Sequence, residues 1–442
     1  MNNFMWFLEK SKLDFKQYQY DGVKWAIENE LKDELRDDAT TSLDVRVKGG
    51  FIADEMGLGK TITMLGIIFA NYQKKTLVVL PNTLILQWAS EIFRLTGYKP
   101  IIYHGTNKKK VSMSDLENAH IVLTSYSTVA QSSDNGLLHS IKWYRCVFDE
   151  AHHLRNANSR YKGARKLQTK INWLLSGTPV QNKMKDFYTL CSVLGLPASY
   201  YKNKDNRADL FYRYVLYRTK KEVGIVIPNL ELNHKIVDWK SEKEREVSNK
   251  VHLHRLSDGE KLKKIQQAQK MCILPSLLDN KFTNITSSKM DSVIETILAR
   301  KGNGSGKLVF CQFYLEIDTI MAKLREGGIE SIANFDGRIK NKRDKIKRIN
   351  DKYEVLVIQI KTGCEGLNMQ KNYSEVYFVS PNWNPSVELQ AIARCHRIGQ
   401  PLPVHVFRFS MMELDDSVKS MDQYILEVQD KKYMLMQDIL VS

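Results

Sequence analysis

Phe51-Ile52-Ala53-Asp54-Glu55-Met56-Gly57-Leu58-Gly59-Lys60-Thr61-Ile62-Thr63-Met64-Leu65 is the stretch from which the fold of this 442-residue chain can be read. Phe51-Ile52-Ala53 reads as a strand end and Ile62-Thr63-Met64-Leu65 as the opening of a helix. A glycine-rich turn between strand and helix aims backbone N–H groups at an anion, and the helix N-terminus adds partial positive charge. In that frame Lys60 reaches the β- and γ-phosphates of a nucleotide and Thr61 holds Mg2+. The general phosphate-loop pattern begins with glycine, whereas Asp54 stands there in this chain. Taken alone, the motif competes with a plain glycine turn carrying a surface lysine.

A second stretch narrows the choice. Cys146-Val147-Phe148 is a buried-type run that ends at Asp149-Glu150-Ala151-His152. A phosphate-loop fold needs another carboxylate for Mg2+ just past a strand's C-terminal end, and Asp149 fits that role. Glu150 beside it can polarise an attacking water as general base. An isolated Asp-Glu pair is usually a solvated helix cap, but one that follows a strand downstream of a phosphate loop is hard to read that way.

Outward from these motifs, two regions share one texture, 45–200 and 305–410. Short apolar runs alternate with longer amphipathic stretches: Thr76-Leu77-Val78-Val79-Leu80, His120-Ile121-Val122-Leu123-Thr124, Leu308-Val309-Phe310-Cys311, Val355-Leu356-Val357-Ile358 and Val376-Tyr377-Phe378-Val379. Such runs fit strands buried on both faces, so the alternation implies parallel sheets with crossover helices, an α/β fold. Residues 183–290 are expected to lack strands, with Leu262, Ile265, Ala268 and Cys272 on one helix face and Leu274-Pro275 ending that helix. Gly302-Asn303-Gly304-Ser305-Gly306 reads as punctuation before the second sheet or as a loop inside its lobe.

Composition bounds the class. Lys and Arg outnumber Asp and Glu by 66 to 50, a net charge of +16, which excludes an acidic disordered chain and makes a polyanion a plausible partner. No run approaches the roughly 18 apolar residues of a membrane span. Phe4-Met5-Trp6-Phe7-Leu8 runs straight into Glu9-Lys10, which is not a secretory pattern. The six cysteines form no C-x-x-C pair, so no zinc ribbon is expected, and Cys146 and Cys311 are expected to be buried thiols.

The residues 54–61 and 149–152 together make the chain resemble the superfamily two helicase-like ATPases of the Swi/Snf, chromatin-remodeller type, whose phosphate loop opens Asp-Glu-Met-Gly-Leu-Gly. Tyr18-Gln19-Tyr20-Asp21-Gly22 resembles the family's adenine-sensing Q motif. Leu80-Pro81 with Trp88, Thr124-Ser125-Tyr126 and Ser176-Gly177-Thr178-Pro179 with Gln181-Asn182 resemble motifs Ia, Ib and III. Met271-Cys272 to Leu277 and Ser288-Lys289-Met290-Asp291 are similar to the segment between lobes. Leu308 to Phe313, Phe335-Asp336-Gly337, Lys361-Thr362-Gly363-Cys364-Glu365-Gly366-Leu367-Asn368 with Trp383-Asn384-Pro385, and Gln390-Ala391-Ile392-Ala393-Arg394-Cys395-His396-Arg397-Ile398-Gly399-Gln400 resemble motif IV, the loop after it, motif V and motif VI. Cys364, Glu365, Gln359 and Arg338 depart from the family's commoner residues. His153-Leu154-Arg155-Asn156 leans toward its DNA-repair branch.

The resemblance implies two RecA-like parallel-sheet lobes with helical insertions between them: lobe one over 1–182, a helical and inter-lobe region over 183–287, and lobe two over 288–442 with a C-terminal helix. It implies ATP and Mg2+ in the cleft between lobes. Lys60, Asp149, Glu150 and the arginine fingers Arg394 and Arg397 would be catalytic, with the two arginines presented i, i+3 on one helix face. Gln19, Asp54, Glu55, Met56, Gly57, Leu58, Gly59, Lys60, Thr61 and Gly366 would hold the nucleotide, and Thr61 and Asp149 the metal. Ser176, Thr178, Gln390 and Gln400 would couple nucleotide state to DNA. DNA phosphates would be met around Asn82, Thr124, Ser125, Gln312, Lys361, Thr362 and Asn368.

The implied activity is DNA-dependent ATP hydrolysis driving translocation along duplex DNA, which remodels or displaces bound protein. The alternatives are a strand-separating DNA or RNA helicase and a catalytically silent nucleic-acid scaffold. The expected state is a monomer, without membrane, in nucleus or cytoplasm, with a viral protein in its host cell as the other option. The basic run Arg338, Lys340, Lys342, Arg343, Lys345, Lys347 and Arg348 reads as a helix with solvated cations or as a DNA contact. Trp383 reads either as a stacking residue or as core, and His104, His252 and His254 as ordinary histidines.

Overall fold

The structure is a computed structural model that describes residues 1–32, 47–131, 136–177, 183–256, 260–339, 351–363, 368–415 and 418–440. The chain divides into two compact units, Met1–Val226 with Leu435–Ser442, and Ile227–Met434.

The first unit is built on a sheet of seven strands among the described residues: β1 Gly49–Ile52, β2 Thr76–Leu80, β3 Ile101–Tyr103, β4 Ile121–Ser125, β5 Lys142–Asp149, β6 Gln168–Leu175 and β7 Val215–Leu216. They lie in the order β3-β4-β2-β5-β6-β1-β7, and every pairing is parallel. Their sequence explains this. Along β2, Leu77 and Val79 enter the core on one face while Val78 and Leu80 enter the core on the other. A strand apolar on both faces must be covered on both, and parallel neighbours reached through helices achieve that. Each such side chain contributes roughly 1.5–3 kcal/mol by burial.

The second unit repeats the plan with β8 Leu230–Val237, β9 Lys307–Cys311, β10 Ile332–Phe335, β11 Val355–Gln359, β12 Glu375–Phe378 and β13 Val404–Met411. Their order is β10-β11-β9-β12-β13-β8, again all parallel. Val355 and Val357 face one core, Leu356 and Ile358 the other.

Two expectations are corrected here. Residues 183–290 do contain strands: β7 extends the first sheet and β8 the second. Their apolar signal is weak because both are edge strands. In β8 only Val237 is fully buried, and its backbone pairs with β13 along eight positions. Leu262 does not join Ala268 and Cys272 in the core. It sits in the first turn of the helix Lys261–Ile273, 72% exposed, while Lys264 and Gln269 are buried on the packed side. Of the two readings left open for Gly302 to Gly306, the loop inside the lobe is the one found: it joins the helix Ser288–Leu298 to β9 within the second unit.

Further features fill out the two units. The helix Asn2–Ser11 buries Phe4, Phe7 and Leu8. Cys146, Cys191, Cys272, Cys311 and Cys395 are buried free thiols. Trp383 packs against the second unit's core, edge-on to Tyr424. Lys108, Lys109 and Lys110 end a short 3-10 helix in which no residue is buried. Among the described residues no helix is long and apolar enough to cross a membrane, and no His, Cys, Asp and Glu cluster has metal-binding form. The basic residues Lys340 to Arg348 lie outside the described residues.

Candidate active site

In the strand order β5-β6-β1, the loops leaving the C-terminal ends of three neighbouring strands meet at one sheet edge, where open α/β folds place their ligands. The loop after β1 is the glycine turn. Gly57 and Gly59 have φ of 98° and 83°, a left-handed backbone that a side chain resists, and Gly59 caps the helix Lys60–Ala70. Lys60 is therefore the first residue of a helix whose N-terminal N–H groups face the turn. Its Nζ donates to the Asp54 carbonyl at 2.8 Å, so the amine folds over the turn. A Cβ on Gly177 would stand 3.1 Å from this Nζ and 2.8 Å from Met56 Cγ. The loop after β6 thus approaches the lysine closely only because residue 177 has no side chain.

The loop after β5 supplies the carboxylates. Asp149 closes β5 with its side chain fixed on both oxygens: Trp88 Nε1 donates to Oδ2 at 2.8 Å and the Glu150 N–H to Oδ1 at 2.9 Å. Tyr126 Oη donates to the Asp149 carbonyl at 2.6 Å. Burial, with the Glu150 charge alongside, pushes the Asp149 carboxyl up to about 7, while Trp88 and Lys60 pull it back. A buried carboxylate of this kind is ionised by a neighbouring cation, which is the environment Mg2+ supplies. Glu150 is held at φ 49°, ψ 51°, a costly conformation for a residue with a side chain. His152 Nδ1 lies 3.3 Å from Glu150 Oε2. Hydroxyl and carboxylate oxygens at Thr61 and Asp149 are the hard donors that Mg2+ takes, so the donor set fits that ion.

The remaining candidates in the first unit divide by burial. Tyr18 Oη and Gln19 Nε2 donate to the Leu58 carbonyl at 3.0 and 3.5 Å, tying the helix Gln17–Leu31 to the glycine turn. Ser176 is buried and its N–H donates to the Ile52 carbonyl at 3.2 Å. Asn82 is exposed just beyond β2. Thr124 and Ser125, expected to meet DNA phosphates, are fully buried. Thr124 Oγ1 donates to the Tyr103 carbonyl, and Ser125 Oγ is shared with Ser127, Thr128 and His104. Their side chains are spent on the fold.

In the second unit, Arg394 and Arg397 do not share a helix face. The helix Pro385–Ile392 ends before them, and they sit in tight turns: Arg394 N–H to the Ala391 carbonyl, Arg397 N–H to Cys395, Gln400 N–H to Arg397. Tertiary contacts break the helix. Cys395 is buried in the core, and Gln400 Nε2 donates to the Tyr373 and Cys395 carbonyls at 2.9 and 3.2 Å. Gln400 thus staples the turn, and Gln390 is buried with its carbonyl accepting from Arg394 Nε. Arg397 Nη1 donates to Asn368 Oδ1, which links an expected DNA contact to an expected finger. Burial and the Arg394 charge lower the Arg397 pKa. Gln312 Oε1 accepts from Gln269 Nε2 at 2.9 Å, and Lys361 is exposed. Thr178, Gly366 and the Thr362 side chain lie outside the described residues.

The sequence reading missed one group altogether. Arg218, just past β7, forms a bidentate pair with the buried carboxylate of Asp54: Nε to Oδ1 at 2.9 Å and Nη2 to Oδ2 at 2.6 Å. Asp54 therefore does not present its side chain to a phosphate. The only sequence signal was a basic Arg218-Thr219-Lys220-Lys221 run, which reads as solvated surface.

Comparison with known proteins agrees with this geometry. The SNF2-related domain matches residues 18–284 and the helicase conserved C-terminal domain residues 288–399. The chain belongs to the SNF2-related family of helicase-like ATPases. It is 27% identical to an uncharacterized ATP-dependent helicase of Mycoplasma genitalium, over 100% of this chain and 44% of that protein. It is 28% identical to the ATP-dependent DNA helicase DDM1 of Arabidopsis thaliana, over 89% of this chain and 58% of that one. The SNF2-related chain thus spans about half the length of these relatives. The helicase domain of Pyrococcus furiosus Hef, 18% identical, matches with a TM-score of 0.56 over 94% of this chain and 98% of that domain, a likeness of fold. The fold is two parallel-sheet, RecA-like units, as the resemblance implied.

Proposed function

We propose that this chain is a DNA-dependent ATPase that uses hydrolysis to translocate along duplex DNA and so displaces or remodels bound protein. The observation that carries the reading is the buried Asp149 carboxylate, held by Trp88 beside the strained Glu150, within electrostatic reach of Lys60.

In the mechanism the glycine turn and the Lys60–Ala70 helix N-terminus hold the phosphates through backbone N–H groups, and Lys60 neutralises their charge. Thr61 and Asp149 are the residues that would hold Mg2+, whose charge lowers the cost of the phosphoryl transition state. Glu150 orients and deprotonates the attacking water, helped by its displaced backbone. Ser176, hydrogen-bonded to β1 and next to Gly177 over Lys60, relays the state of the phosphates. Arg394 and Arg397 of the second unit are the arginine fingers of this reading, cations of the kind that stabilise charge developing on a phosphoryl group. Asn82, Gln312, Lys361 and Asn368 are the DNA contacts that remain, with backbone N–H groups serving around Thr124 and Ser125. Such contacts read phosphate rather than base.

The test is displacement of a third strand from a triplex by the chain with ATP. Translocation along duplex predicts ATP-dependent release of the third strand and no separation of a tailed duplex. Strand separation without triplex release would support the helicase alternative instead.

A further inference from the structure

We propose that Arg218 is a positioning residue for the nucleotide: it holds the start of the glycine turn in its binding shape by joining Asp54 to the helix that carries Tyr18 and Gln19. The inference rests on the nucleotide reading above and adds a residue to it.

The observations form a connected set inside the first unit. The parallel pairing of β1 with β7 does not stop at Ile52 and Leu216. It continues into the turn, with the Ala53 N–H donating to the Leu216 carbonyl at 2.8 Å and the Glu55 N–H to the Arg218 carbonyl at 2.9 Å. The first residues of the turn are therefore laid down as an extension of the sheet against residues 216–218. Lys220 answers from the same segment: its N–H donates to Glu55 Oε2 at 2.8 Å and its Nζ lies 3.0 Å from Glu55 Oε1. Arg218 occupies the centre. Two of its nitrogens hold the Asp54 carboxylate, which is completely buried, and Nη1 donates to the Tyr18 carbonyl. The guanidinium lies over the Tyr18 ring, 5.4 Å from its centroid, and a Cβ on Gly22 would stand 2.9 Å from Nη2.

A planar fork with fixed donors is required for this arrangement. One edge serves a carboxylate bidentately and the remaining nitrogen serves a carbonyl, which a lysine cannot do. The arrangement also accounts for Asp54 at a position where the general pattern has glycine. The aspartate is the turn's anchor, and the position of its own backbone carbonyl sets where Lys60 Nζ lands, since that amine bonds the Asp54 carbonyl. Loosening Arg218 would release the turn, the lysine it holds and the Tyr18–Leu58 contact together.

The full chain is titrated with a fluorescent ADP, and steady-state ATP hydrolysis is measured with duplex DNA, for the parent protein, Arg218→Lys, Asp54→Asn and the double variant. Arg145→Lys serves as a control for mere destabilisation, because Arg145 lies in a buried ion pair with Glu30 away from the turn. Each single variant is expected to bind ADP about ten- to a hundredfold more weakly, the loss of a charge-assisted bidentate contact. The double variant should be no weaker than either single. KM for ATP should rise while kcat at saturation changes little, and Arg145→Lys should lower the melting temperature without changing affinity. Should Arg218→Lys not fold, the isosteric Asp54→Asn carries the test. Parent-like ADP affinity in these variants, or an equal loss in Arg145→Lys, overturns the inference. Absence of ADP binding by the parent chain overturns the nucleotide reading itself and the inference with it.

Discussion

Trp88 shows how a single core side chain prepares a charged one. It is 2% exposed, yet its indole N–H points at Asp149 Oδ2 rather than being lost in apolar packing. Trp88→Phe keeps the volume and removes the donor, so kcat should fall about tenfold or more with the melting temperature little changed, read by steady-state hydrolysis and thermal unfolding. Lys60→Ala should remove ADP binding altogether, because it takes away the amine folded over the glycine turn at the Asp54 carbonyl; titration with the labelled nucleotide reads this. At this scale the sequence was legible where a motif puts unlike residues side by side, as in Gly59-Lys60-Thr61 or Asp149-Glu150. It was not legible where partners are distant in the chain. Arg218 finds Asp54 across 164 positions, and nothing local distinguishes it from a surface arginine.

Elements are held by a few buried polar nodes as well as by their apolar faces. Glu30 and Arg145, both fully buried, pair bidentately, and Glu30 also accepts from Trp173 Nε1 and Asn71 Nδ2. This node joins the helix Gln17–Leu31 to β5 and β6. Glu30→Ala should destabilise the first unit by about 3–5 kcal/mol, since it strands a buried guanidinium; denaturant unfolding checks it. In the second unit Glu316 accepts from the Gln312 and Phe313 N–H groups, and burial pushes its carboxyl up to about 7. The folded state therefore binds this proton more tightly than the unfolded chain. The group's contribution is best at low pH and is lost as pH rises from about 4.5 to 7. Relative to Glu316→Gln, the parent should gain stability as pH falls through that window, by at most about 1.4 kcal/mol per pH unit, read from paired unfolding curves. Apolar runs such as Val355 to Ile358 announced the central strands because both faces are buried. β8 stayed hidden because an edge strand owes its existence to pairing with β13, a backbone property that side chains do not record.

For the whole molecule, charge and family give the same expectation by separate routes. A formal charge of +16, mostly lysine, favours non-specific attraction to a polyanion. Duplex binding should therefore be insensitive to sequence and weaken at least about tenfold between roughly 50 and 200 mM salt, measured by fluorescence anisotropy on unrelated duplexes. Membership of the SNF2-related family adds the nucleotide half. The central claim joins the two: bound duplex governs hydrolysis at the Lys60, Asp149 and Glu150 site. Its most direct test is ATP turnover by the parent chain and Glu150→Gln, with and without duplex DNA. The account predicts that DNA raises parent turnover several-fold or more, while Glu150→Gln still binds nucleotide and turns over at background with or without DNA. Parent turnover that ignores DNA, or hydrolysis by Glu150→Gln equal to the parent's, would contradict it.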